Sequence, residues 1–467
     1  MSFVKNVSYT LVTNIIATAV SIVATLIVPK VLGYTDYSYF QLYLFYMGYV
    51  GFFHLGWADG FLLRYSGEYY DKLSKSRFRS QIRLYILSQA VFGLSICFLA
   101  CLFADIEDRL YVYIFTGIAV LTVNSRVFFQ YILQATSRIR EYAIMTIVER
   151  VVYIAFVTLN ISINVISFIP YIIANSLGTL CALIYGMWCC RDILRASPEL
   201  VKFTMVEVKA SLSTGYKILI ANFAGILIIG VVRQAVEIQW DVETFGKISL
   251  ILSISNMFMV LISAISVVLF PMLRRVDNGE LVPMYTRIRN FLMLILLCIL
   301  IFYYPVRVIL TTWLPQYVDS LRYLAILFPV CLYESKMSLL INTYLKNLRK
   351  EKTIMVINIV TLLLSLVVTA ITAFGFHNLD MAMVSIVLIL AFRCIFAELL
   401  LSKYIDIHVK SDIMVELIMT VIFICASWFV GGLAGLLLYF IAYYIYVYWK
   451  RNEVKNIISK PLGTILS

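Results

Sequence analysis

Apolar runs of about 18 residues or more recur from one end of this 467-residue chain to the other. Each is long enough to cross a hydrocarbon layer of roughly 30 Å as a helix. Hydrophobic residues make up 62% of the chain and charged residues 14%, more apolar surface than a soluble core of this length hides. The short alternating segments of a membrane barrel do not occur. The expectation is an all-α membrane protein with about fourteen transmembrane helices. They fall near 8–30, 40–63, 81–103, 110–134, 142–161, 165–190, 214–238, 247–271, 290–311, 318–342, 353–375, 380–402, 413–430 and 432–449.

The charges give an orientation. Alternate connections, taken with both termini, hold 28 Lys and Arg, including Lys72, Arg77 and Arg79, then Arg138 and Arg140, then Lys346 to Lys352. The opposite set holds six, namely Lys30, Arg109, Arg233, Lys247, Arg307 and Arg322. Basic loops stay inside, so both termini are expected in the cytoplasm, in agreement with an even helix count. The net charge of +12 is thus explained by topology, and no nucleic acid is expected as a partner. The first apolar run lacks a short core followed by a small-residue cleavage site, which predicts an uncleaved first helix. Nine cysteines fall almost entirely in apolar segments without CxxC or Cys/His spacing, so they read as inert packing residues and no metal is expected.

Outward loops are short: Asn160–Val165 is uncharged and Gly431–Gly432 is a tight turn. The longest loops, 64–80 and 191–213, are too small for a catalytic domain, so the chain is not expected to be an enzyme. A faint repeat relates Thr35-Asp36-Tyr37-Ser38-Tyr39-Phe40-Gln41-Leu42 to Glu243-Thr244-Phe245-Gly246-Lys247-Ile248-Ser249-Leu250. Six helices separate the two passages, so a true repeat keeps the same orientation in the membrane, as in transporters built from parallel repeats. The organisation expected is an N-terminal lobe at 1–190, a linker at 191–213, a C-terminal lobe at 214–402, and two further helices with a tail at 403–467.

Several stretches resemble the polysaccharide repeat-unit flippases of the MATE-like exporter superfamily. His54-Leu55-Gly56-Trp57-Ala58-Asp59-Gly60-Phe61-Leu62-Leu63-Arg64-Tyr65-Ser66-Gly67 is similar to their second helix. Leu133-Gln134-Ala135-Thr136-Ser137-Arg138-Ile139-Arg140-Glu141-Tyr142 is similar to the loop after their fourth helix. Phe245 to Leu250, with Phe270-Pro271-Met272-Leu273-Arg274-Arg275, is similar to their eighth helix. The resemblance implies two six-helix lobes plus two C-terminal helices. It also implies flipping of an oligosaccharide on polyprenyl pyrophosphate from the cytoplasmic to the outer leaflet of a bacterial plasma membrane, for surface polysaccharide such as lipopolysaccharide or capsule. Membrane lipids, a polysaccharide polymerase and chain-length machinery are the implied partners. No cofactor is expected, and a coupling ion, H+ or Na+, stays open. Val232 stands where relatives carry an acidic residue.

A charge near a helix centre costs about 2.5–3.5 kcal/mol on insertion scales, so each needs a reason. Arg126, Arg150, Arg233, Lys336 and Arg393 are the candidate substrate-binding residues. Arginine suits a pyrophosphate because its planar fork binds phosphate oxygens in pairs and stays charged. Asp59, Arg64, Glu149, Glu237 and His54 are the candidate coupling or gating residues, with Glu334 and Glu398 nearby in the pattern. The alternative is internal pairing: Arg233 with Glu237 at i,i+4, Arg126 with Glu149 or Arg150's face left to a cavity, and Asp59 with Arg64 as a snorkelling pair at the helix end. His54 reads as a proton relay or as a hydrogen-bonded packing residue. Tyr37, Tyr39, Tyr43, Tyr46 and Tyr49 either line a sugar path or fill helix contacts, and Trp240, Trp313 and Trp449 suit membrane interfaces.

Two other functions compete. A drug or cation antiporter of the same superfamily usually stops at twelve helices, and many use a carboxylate in the first helix, where Val7 to Val28 has none. A polymerase or multispanning glycosyltransferase needs a larger loop than any present. Nucleotide-binding loops are absent, which counts against ATP-driven transport by this chain alone.

Overall fold

Inside a bilayer every backbone N–H and C=O must find a partner within the protein, so apolar segments of this length fold as helices. The computed structural model describes residues 18–273 and 281–453, with side chains at all of these except 201–203, 260–273 and 281. Lys5, the expected start of the first helix, Arg274 and Arg275, and the tail with Lys455 and Lys460 lie outside the described residues. So does the side-chain detail of the Phe270–Arg275 motif.

Among the described residues fourteen helical segments follow one another. They are α1 (Thr18–Val31), α2 (Tyr34–Met47, Val50–His54 and Trp57–Tyr65), α3 (Lys75–Phe103), α4 (Glu107–Ala135) and α5 (Ile139–Ser162). Next come α6 (Ile169–Cys189), α7 (Val201–Gln239), α8 (Val242–Leu273), α9 (Val282–Trp313) and α10 (Leu324–Asn347). The last are α11 (Glu351–Gly375), α12 (Leu379–Ile405), α13 (Lys410–Val430) and α14 (Gly432–Trp449). Eleven of them are single helices long and apolar enough to cross a membrane; α1, the interrupted α2 and α8 complete the set. The chain is therefore an all-α, multi-pass membrane protein.

Two expected boundaries move for local reasons. The stretch 191–213 is not a loop throughout, because α7 begins at Val201, three residues after Pro198, and meets no glycine before Gly215. Likewise Leu281–Ile299 is helical from its start, which takes Arg287 and Arg289 out of the loop. The Gly431–Gly432 turn forms as expected, with φ of +65° and +52°, angles that an L side chain adopts only with strain.

By internal packing the chain divides into two compact units. The first comprises Met1–Ile226 with Val242–Gly246, and the second Leu227–Asp241 with Lys247–Ser467. In the first, α4 packs against α3, α2 and α6, and α5 against α6. In the second, α12 packs on α11 and α10, and α10 is buried along most of its length. Leucines and phenylalanines such as Leu94, Phe98 and Leu102 on α3, or Leu433, Leu437 and Phe440 on α14, stay exposed at i,i+4 and i,i+3 intervals. These stripes are the lipid-facing surface.

The two passages of the faint repeat meet within the first unit. Within the first unit, Thr35 Oγ1 donates to Glu243 Oε1 at 2.5 Å, and a Cβ on Gly246 would overlap Ser38. Thr35 aligns with Glu243 and Ser38 with Gly246 in the repeat. Paired positions of the two passages thus touch each other.

Candidate functional site

The segment α2 is broken in mid-span. Its 3-10 turn ends at His54, Leu55 and Gly56 follow with φ of +52° and +81°, and a helix restarts at Trp57. Irregular backbone at membrane depth persists only where protein or a polar cavity satisfies it. Here side chains do so: Asn124 Nδ2 of α4 donates to the Val50 carbonyl at 3.0 Å, and Gln89 Nε2 of α3 to the Phe53 carbonyl at 3.3 Å. Asn124 also donates to Gln89 Oε1 at 2.7 Å. Glycine is required at the break, because a Cβ on Gly56 would lie 2.6 Å from the Gly215 carbonyl carbon of α7. One turn on, a Cβ on Gly60 would overlap the Ser211 backbone. Gly56-x3-Gly60 and Ser211-x3-Gly215 therefore bring two backbones together, a small-residue contact typical of membrane helices.

The break sets two candidates side by side. His54 Nδ1 accepts the Gly56 backbone N–H at 3.0 Å, which leaves the ring proton on Nε2, 3.9 Å from Asp59 Oδ2. Asp59 Oδ1 accepts a long 3.4 Å bond from Tyr131 of α4. The expected Asp59–Arg64 pair does not form. Arg64 instead reaches α7, pairing with Glu207 at 2.8 Å and donating to Ser211 at 3.1 Å, because the early start of α7 brings a carboxylate to the end of α2. Arg77 and Tyr65 converge on the same Glu207.

On α4 and α5, Arg126 pairs with Glu149 at 3.1 Å and donates to Gln130 at 2.8 Å. Arg150, the twelfth of 24 residues in α5, makes no ion pair or hydrogen bond to any described residue, and its Nε is buried. Tyr153 lies within its field. Of the two adjacent charges, one is paired and the other is left over.

The second unit is organised differently. Lys336 begins a wide π turn in α10 and is buried between Glu398 Oε2, at 2.5 Å, and Glu416 Oε2. Arg289 of α9 contacts the same two carboxylates, Glu398 at 2.6 Å, and also Asp412 at 3.3 Å. Lys450 closes the chain on Asp412 at 2.8 Å, and Tyr285 donates to Glu398 at 2.9 Å. Three cations meet three carboxylates across α9, α10, α12, α13 and the end of α14, where Lys450 also pairs with the partly exposed Glu453 at 2.9 Å, so Lys336 is enclosed rather than open to a ligand. Arg393 lies apart, paired with Glu334 at 2.8 Å and bonded to Asn358 Oδ1 at 3.0 Å. Glu334 keeps 22% of its side-chain exposure, which leaves this pair an open edge. On α7, Arg233 donates to Ser249 at 2.8 Å, and Glu237 accepts from Gln234 at 3.0 Å.

The aromatic candidates fill contacts: Tyr37, Tyr39 and Tyr43 are buried, and Tyr43 donates to Asn175 at 3.3 Å. Trp240 stacks on His377 with 4.9 Å between rings. The sequence reading did not single out Glu207, Tyr131, Asp412 or Glu416. Asp412 and Glu416, at i,i+4 in a helix otherwise rich in Ile and Met, were the available signal.

No protein-family model and no curated protein sequence matches the chain. Solved structures do. An inward-facing multidrug resistance MATE transporter of the MOP superfamily aligns with a TM-score of 0.60 at 12% identity, covering 84% of this chain and 94% of that one. The lipid II flippase MurJ, in an inward closed conformation, aligns with a TM-score of 0.59 at 13% identity, covering 97% of this chain and all of that one. An outward-facing MATE transporter aligns at 0.54 and 11% identity over 86% of this chain. At such identities the likeness is one of fold, and the fold of this chain is the MATE/MurJ-like fold.

Proposed function

We propose that the chain is a flippase that moves an oligosaccharide on polyprenyl pyrophosphate from the cytoplasmic to the outer leaflet of a bacterial plasma membrane by alternating access, for surface polysaccharide synthesis. Arg150 is the observation that carries this reading. A mid-helix guanidinium without a carboxylate is costly in a bilayer, and a phosphate-bearing ligand supplies the missing anion in the geometry Arg recognises best. Two features support it. The alignment with a lipid II flippase takes in 97% of this chain, against 84% for the multidrug transporter. The motifs around Asp59 and Arg138 resemble those of repeat-unit flippases. The alternation of basic loops supports cytoplasmic termini, and a lipid-linked substrate brings a polymerase and chain-length machinery as partners.

The test is chemical. Deleting the gene is expected to accumulate lipid-linked repeat units on the cytoplasmic face. Arg150→Ala, at normal protein level, is expected to reduce export at least tenfold, with partial return in Arg150→Lys, which keeps charge but not the planar fork. No accumulation on deletion overturns the reading. The second reading is a drug or cation antiporter, favoured by Asp59, a carboxylate with no Arg or Lys beside it; altered drug sensitivity without accumulated lipid-linked sugar would select it.

A further inference from the structure

We propose that Asp59 is a proton-binding site that couples transport to proton uptake, and that His54 is the residue that positions it. The proposal rests on the transporter reading but on no particular substrate. Elsewhere in the first unit, Glu149 has Arg126 for a partner and Glu207 has Arg64 and Arg77. Asp59, with 12% of its side chain exposed, has among the described residues the Tyr131 hydroxyl at 3.4 Å and the His54 ring at 3.9 Å.

The His54 ring is held in one state. The Gly56 N–H occupies Nδ1, so a second ring proton would have to break that bond and disturb the turn that Leu55 and Gly56 make. The ring therefore stays neutral with its Nε2–H 3.9 Å from the carboxylate, and the incoming proton goes to Asp59: carboxylate plus proton gives the neutral acid, with no other bond made or broken. A positive field at the start of Trp57–Tyr65 lets the carboxylate ionise again without a cation. Other ionisable groups face the site among the described residues. They are Tyr85 from α3, Tyr131 and the Arg126–Glu149 pair from α4 and α5, and Tyr142 of α5 near Tyr131; Arg64, on the same helix, is held by Glu207.

A break in a membrane helix is where a change of charge can be turned into a change of backbone. In the ionised state Asp59 draws the Nε2–H and the Tyr131 hydroxyl; in the neutral state it releases both. The proton thus acts on the two half-helices on either side of Leu55–Gly56.

The experiment uses the full chain in lipid nanodiscs. pH-difference infrared spectra between about pH 4 and 9 are expected to show a carboxylic-acid C=O band that is absent in Asp59→Asn. Ring-labelled histidine spectra are expected to keep His54, assigned from its loss in His54→Gln, as the neutral Nε2–H tautomer. In cells, Asp59→Asn is expected to reduce export at least tenfold at unchanged protein level, and Asp59→Glu to restore it. An unchanged infrared band in Asp59→Asn, or a band that is lost while export persists, overturns the proposal. If deletion of the gene accumulates no lipid-linked sugar, the substrate reading fails while the infrared result still decides the proton site.

Discussion

Both units carry charges at membrane depth, but they dispose of them in opposite ways. In the second, Arg289, Lys336 and Lys450 meet Glu398, Glu416 and Asp412 in one closed set spread over five helices. In the first, Arg126 and Glu149 pair, and Arg150 and Asp59 are left over. A closed set holds helices in register, and its members have no capacity for a ligand. Leftover charges contribute little to holding the fold, yet they are where an anion and a proton gain most by binding. The difference separates scaffold from site without reference to any substrate.

The comparison can be broken from the scaffold side first. Glu398→Ala removes the carboxylate shared by Arg289, Lys336 and Tyr285, and breaking a buried pair in this way costs about 3–5 kcal/mol. Thermal unfolding in detergent, followed by the reactivity of the buried Cys331 and Cys394 thiols, is expected to move sharply downward. The double variant Glu398→Gln with Lys336→Met, which restores neutrality, is expected to recover part of the loss. If the single variant unfolds like the parent, the network is not a scaffold. A middle-sized effect sharpens the contrast: Glu149→Gln leaves Arg126 with only Gln130 and is expected to cost about 1–3 kcal/mol, read by the same assay.

The smallest effect lies outside the membrane spans. Asp192 accepts from Tyr70 at 2.6 Å and pairs with Lys75 at 2.8 Å. Partial burial pushes its carboxyl up, but the Lys75 and Tyr70 contacts outweigh this and hold it below the usual carboxylate range. A carboxyl depressed in the folded state contributes stability above its unfolded value, near ~3.9, and loses it as pH falls through the folded value. Acidification through that window is expected to loosen 191–200, measured by limited proteolysis, and Asp192→Asn is expected to remove the dependence. The pair is exposed, so the change is small.

Much of this was legible in the sequence, for physical reasons that also mark where reading stopped. Apolar length and basic loops give the helices, because the bilayer imposes both. Charges such as Arg126, Glu149 and Lys336 were conspicuous because insertion penalises them. Their partners were not, since pairing between distant helices leaves no spacing to read. Apolar length alone places the start of the ninth helix near 290, just after Arg289, so the sequence does not mark this residue as the hub of the second unit's network. The apolar part of the seventh helix begins near 214, so the polar turns before it, with Glu207, do not read as helix, and Arg64 lacks its partner in the sequence. The break in α2 had a visible cue in Gly56 and Gly60, but that spacing equally suits an unbroken helix.

The contact of Thr35 with Glu243, and of Ser38 with Gly246, joins the start of α2 to the start of α8 within the first unit. The seam has no room to spare: a side chain at 246 would meet the Ser38 backbone as well as its hydroxyl. The start of α8 is thus latched to the start of α2 by one hydroxyl and one missing Cβ, and a methyl group at 246 would be enough to prise the latch open.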